Sequence, residues 1–63
     1  MKFSTLLVNQ KTNERKEKIF TEEELKKIVG DFVISRAIDR GETNTTIINN
    51  GQTYKMYIKY LKN

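Results

Sequence analysis

The sequence predicts a small α+β domain of ββαββ order, with a four-stranded sheet covered on one face by a single helix. Three observations carry that reading. Thr21 and Glu24 have the spacing of a capping box and open a run with apolar residues at three- and four-residue intervals. Asn50-Gly51 stands between two strand-like runs, and a type I′ turn needs positive φ at both central residues. The first twenty residues read as a further strand pair around a polar connection.

In chain order, residues 2–9 alternate Phe3, Thr5 and Leu7 on one face with Ser4, Leu6 and Val8 on the other. Both faces carry apolar groups, so this strand is expected in the middle of the sheet. Residues 10–14 are polar and contain Asn13, which suits a hairpin connection. Residues 15–20 form a second strand whose Lys and Glu content suits an edge. The helix is expected over 21–41, with Glu22 and Glu23 in its first turn, Leu25, Ile28, Val29, Phe32 and Val33 on its apolar face, and Gly41 as its C-cap. Residues 43–49 are rich in β-branched Thr and Ile. Residues 52–61 alternate Tyr54, Met56, Ile58 and Tyr60 against Lys55, Tyr57, Lys59 and Leu61, and the first set should face the helix.

One alternative concerns the second half of the helix. Gly30 costs about 1 kcal/mol relative to alanine inside a helix. On a continuous helical wheel Arg36 falls near the middle of the apolar face, while Ile34 and Ile38 point away from it. A short helix ending at Gly30 would leave residues 32–38 as a strand and Asp39-Arg40-Gly41-Glu42 as a turn, giving a three-stranded meander.

Sixty-three residues make one domain, 1–63. A chain of this size buries only about 60% of its unfolded surface, so its core is thin. It has no Cys and no His, which removes the disulfide and usual zinc routes to extra stability and leaves self-association, with a homodimer as the simplest form. Lack of Cys fits a reducing compartment. The apolar run 6–8 is too short for a signal-peptide core, and nothing approaches the roughly 20 apolar residues of a membrane span. A soluble cytoplasmic protein with no membrane partner is expected. The net charge of +4 lies on the flanks of the helix. Residues 1–20 carry five Lys/Arg against two Glu, residues 21–40 four against five Asp/Glu, and residues 41–63 three Lys against one Glu.

No catalytic, cofactor-binding or metal-binding residues are assigned, and an enzyme is not expected. There is no His general base and no Cys nucleophile, Ser4 and Ser35 lack a base motif, and the three glycines are isolated. Acidic residues in a helix's first turn are explained by its dipole. The apolar residues left over on the open sheet face, Leu6, Val8, Tyr57 and Leu61, point instead to a protein partner, of the host or a second copy. Ile34 and Ile38 are surplus on the continuous-wheel model. The alternative is nucleic-acid binding through Lys55, Tyr57, Lys59 and Lys62 with Lys11, Arg15, Lys16 and Lys18 of the first hairpin. One aromatic among mixed charges matches no named nucleic-acid motif, so this is the second choice. A purely structural homo-oligomer is the third.

The element order resembles that of the small immunoglobulin-binding modules of the protein G and protein L type. No sequence motif is shared with them, so the resemblance implies no function. The Lys-, Asn- and Ile-rich composition and small size resemble those of accessory proteins of phages or mobile elements of AT-rich bacteria, which implies a binding module that occupies a host macromolecule.

Overall fold

The structure is a computed structural model that describes residues 1–62. Its elements are β1 (Lys2–Asn9), β2 (Arg15–Thr21), α1 (Glu22–Arg40), β3 (Glu42–Asn49) and β4 (Gln52–Leu61). The strands form one sheet in the order β2-β1-β4-β3, and every neighbouring pair is antiparallel. The ββαββ reading therefore stands. The three-stranded meander is overturned, because residues 32–38 are helical.

Both hairpins close as their turn residues dictate. Asn50 and Gly51 have φ of 52° and 75°, and they join Asn49 to its cross-strand partner Gln52. In the first hairpin Asn13 takes φ 63°, and the Asn9 side chain organises the turn. Its Oδ1 accepts from the backbone N–H groups of Lys11 and Thr12, at 2.9 and 3.1 Å. Its Nδ2 donates to Gln52 Oε1 at 2.7 Å, which ties the two hairpin turns side by side.

The helix begins as its sequence predicts. Thr21 is the N-cap: its hydroxyl accepts from Glu24 N–H, and the Glu24 carboxylate accepts from Thr21 N–H at 2.9 Å. Gly41 closes the other end in the left-handed region, its N–H donating to Ala37 O at 2.8 Å. Between them the helix is broken. Gly30 has φ 84° and ψ 171°, a conformation open in practice to glycine alone.

The topology requires that break. An antiparallel β1–β4 pair places the end of β2 and the start of β3 at the same end of the sheet. Thr21 is level with Lys2 and Leu61, and Glu42 is level with Lys59. Three strand spacings and a two-residue offset separate those points by roughly 16 Å. A straight helix of 19 residues would be roughly 28 Å long and would overshoot. The connection has to bend, and it bends at Gly30.

The bend also resets the helical phase. Leu25 and half-buried Val29 face the sheet before it; Val33, Ile34, Ala37 and half-buried Ile38 do so after it. Ile28 and Phe32, expected on the apolar face, are exposed, Phe32 by 74%. Ile34, expected to point outward, is 5% exposed and belongs to the core. Arg36 leaves the apolar face altogether: its Nε donates to Thr43 Oγ1 at 3.0 Å, and its guanidinium stacks 5.4 Å from the Phe32 ring.

The core lies between this bent helix and one face of the sheet. Phe3, Phe20, Met56 and Ile58 supply the sheet side, with Tyr60 against Phe3 at 5.4 Å between ring centroids. Thr5, buried among them, donates from Oγ1 to Lys18 O at 2.8 Å, so no polar atom is left unpaired there.

Two outcomes check this account. Gly30→Ala should lower unfolding free energy by about 1–3 kcal/mol in urea titration, through backbone conformation alone. A Cβ there meets nothing within 4 Å, so a neutral result would contradict the strained geometry. Ile34→Ala should cost about 2–5 kcal/mol, and Phe32→Ala no more than about 0.5. The reverse order would restore the continuous wheel.

Candidate functional site

The helix occupies one face of the sheet and leaves the other open. Strand alternation assigns Ser4, Leu6 and Val8 of β1 and Lys55, Tyr57, Lys59 and Leu61 of β4 to the open face. Pairing register then sets them in rows. Leu6 lies directly across from Tyr57, flanked by Glu17 on β2 and Asn44 on β3. Val8 and Lys55 form the next row with Arg15 and Thr46, and Ser4 and Lys59 form the row on the other side with Ile19 and Glu42.

Three of the four residues expected at a protein interface therefore come together: Leu6, Tyr57 and Val8. Leu61 stands apart, because the Ser4–Lys59 row separates it from Tyr57. Tyr57 is the most accessible of the set at 47%, while Leu6 and Val8 are half-buried by their neighbours. Ile34 and Ile38 contribute nothing to any surface surplus, since both pack in or against the core. Ile19, 59% exposed, joins the open face, and so does Lys2, opposite Leu61. Strand parity held the signal for Ile19: Arg15, Glu17 and Ile19 share one face of β2.

The same parity splits the expected nucleic-acid set. Arg15, Lys55, Tyr57 and Lys59 share the open face. Lys16 and Lys18 belong to the helix-covered face, and Lys18 Nζ lies 4.9 Å from the Phe20 ring centroid. Lys11 is in the first hairpin turn, at the far end of the sheet from Lys62. The eight residues do not form one surface.

Around the Leu6–Tyr57 pair the open face forms a shallow depression of about 440 Å³, bordered by Glu17, Lys59, Glu42, Asn44 and Arg40. Its charges are of both signs and lie at its margins. Among the described residues, no three His, Cys, Asp or Glu side chains come together in a way that could hold a metal ion. Among the described residues no helix is long and apolar enough to cross a membrane.

Glu24 and Lys26, both on the helix, have displaced titrations. Hydrogen bonds from the Thr21 backbone and hydroxyl hold the Glu24 carboxyl below its ordinary value of 4.5. The Asp31 carboxylate, 3.0 Å away, raises Lys26 above its ordinary 10.5. That exposed pair bridges the Gly30 bend and adds little to stability. Neither group touches the open face. Their role is structural.

No family model matches the chain, and no curated protein or solved structure is significantly similar to it. The element order shared with immunoglobulin-binding modules thus adds nothing to the reading of the site, which rests on its own geometry.

The capping box carries a pH signature. Because folding lowers the Glu24 pKa, its contribution is fully present above the unfolded value and is lost as pH falls through the folded one. Denaturation midpoints of the wild type should drop below pH 4.5 more steeply than those of Glu24→Gln, whose amide does not titrate. Parallel profiles would remove this role.

Proposed function

We propose that this chain is a small non-enzymatic binding module that docks a protein partner on the open face of its sheet. The observation that supports it most strongly is the Leu6–Tyr57 cross-strand pair, with Val8 beside it, at the centre of a face the helix does not cover. A contiguous set of half-buried apolar residues around one exposed aromatic, rimmed by charge, has the composition of an interface centre. Tyr57 is the anchor: it offers a large ring and a hydroxyl at low entropic cost. Lys2, Arg15, Lys55 and Lys59 outnumber Glu17 and Glu42 on that face, so the complementary partner is an acidic protein surface with an apolar centre. The composition supports a cytoplasmic accessory protein of a phage or mobile element, acting by occupying a host macromolecule.

A second reading has one observation in its favour. Lys55, Tyr57 and Lys59 alternate with inward residues on one strand, so a base stacked on Tyr57 would have a cation on either side for its phosphates. The removal of Lys16 and Lys18 to the other face weighs against it.

Capture from host lysate with the wild type and with a Leu6→Lys/Tyr57→Lys variant tests the proposal. Both positions face outward, so circular dichroism should show the variant folded. Expected is a protein captured from nuclease-treated lysate by the wild type, and reduced at least about tenfold by the variant. Capture that vanishes with nuclease, or direct DNA or RNA binding that weakens steeply with salt, would replace it with the second reading. Equal capture by the variant would remove the open face from consideration.

A further inference from the structure

The two edges of the sheet are built differently. On β2 the consecutive side chains Arg15, Lys16, Glu17 and Lys18 are all charged, and charge on an edge discourages strand addition. On β3, residues 43–49 read Thr-Asn-Thr-Thr-Ile-Ile-Asn, with no charge, no proline and strong strand propensity. Glu42 is the sole ionised side chain of that strand.

Hydrogen-bond phase shows which groups this edge presents. Tyr60 N–H donates to Gly41 O at 2.9 Å, and the ladder between antiparallel strands bonds alternate pairs from there. Thr43, Thr45, Ile47 and Asn49 therefore direct their main-chain groups at β4. Glu42, Asn44, Thr46 and Ile48 direct theirs at the open edge. Arg36 Nη2 reaches one of them, Asn44 O, at a long and exposed 3.4 Å. The Thr46 main chain, at the centre of the edge, has no partner among the described residues. Ile48, at 76%, is the most exposed large hydrophobic residue described.

We propose that a second copy of this chain adds to the β3 edge, antiparallel about a two-fold axis at Thr46, to form one continuous eight-stranded sheet. In that register Thr46 meets the second copy's Thr46, and Asn44 meets the second copy's Ile48. A Thr–Thr pair is a favourable cross-strand pair. The argument for a like copy is one of charge and order. The molecule's +4 charge is absent from β3, so two copies meet at this edge without juxtaposed cations. Each copy also brings a strand already held in register by β4, whereas a free peptide would have to be ordered on binding. The Arg36 contact lies two residues from the axis, where Asn44 O, reached by Arg36 at a long 3.4 Å, keeps a lone pair for the second copy's Ile48 N–H. This seam is distinct from the open-face site, and either can fail without the other.

A seam formed by one strand edge offers less contact than a standard interface of roughly 800 Å² per partner, so weak association is expected and the test spans about 10 µM to 1 mM. Sedimentation or native mass spectrometry of the whole chain should show the 7.4 kDa species giving way to one of twice that mass. Raising salt should favour the dimer by screening the net charge, opposite to its effect on an acidic partner. Two variants address the edge. Thr46→Pro deletes an N–H that has no partner among the described residues, and Thr46→Lys places a cation opposite its own copy. Each should weaken dimerisation at least about tenfold while circular dichroism stays unchanged; should the proline variant unfold, the lysine variant decides. Leu6→Lys/Tyr57→Lys should dimerise as the wild type does. A wild type that stays monomeric to 1 mM, dimers unaffected by Thr46→Lys, or dimers lost only with the open-face variant would each overturn the proposal.

Discussion

The antiparallel pairing of β1 with β4 is the constraint on which the rest of the structure depends. It places both ends of the helical connection at one end of the sheet, so a connection of this length has to bend. One residue, Gly30, takes the bend, at a positive φ and extended ψ that favour glycine. Everything downstream inherits the consequence. The bend decides which residues of the second half meet the sheet, and with them the composition of a core of eight buried hydrophobic side chains. In a core that thin, exchanging Phe32 for Ile34 changes a large part of its inner surface.

Local signals were readable from the sequence wherever local chemistry decides the outcome. The capping box at Thr21 and Glu24, the Gly41 cap, the Asn50-Gly51 turn and the alternation of residues 52–61 all depend on neighbours a few residues away. The bend does not. It follows from the direction in which β4 runs beside β1, a contact between the two ends of the chain, and no window around Gly30 contains it. A helical wheel drawn through Gly30 assumes one phase, and Arg36 on the apolar face with Ile34 and Ile38 outside it was the visible sign that two phases were present. The meander alternative responded to the same conflict with a change of element type. The structure answers it with a change of helix direction.

The candidate surface follows the same division. Leu6, Val8 and Tyr57 share a face because strand parity puts them there, and parity is written in the sequence. Their adjacency across β1 and β4 is a matter of register between strands more than forty residues apart, which parity alone does not set. The basic residues show the converse. Taken as a cluster along the chain, Arg15, Lys16 and Lys18 look like one patch, but alternate pleats send them to opposite faces, and Lys18 lies over Phe20. Charge density along a strand overstates charge density on a surface by about a factor of two for this reason.

Arg36 depends on the same bend. Its position on the second helical segment exists only because Gly30 resets the phase; on a continuous helix it would point into the core, where an unpaired guanidinium is costly to bury. After the bend it points along the sheet toward β3, bonds Thr43, reaches Asn44 O and stacks on Phe32. The side chain that least suited the helix thus fastens it to the strand beside which it lands. It also leans over the Asn44 end of the β3 edge and leaves the centre at Thr46 clear. The constraint imposed by the central strand pair therefore reaches, through one glycine and one arginine, to the part of the sheet that remains available for another strand.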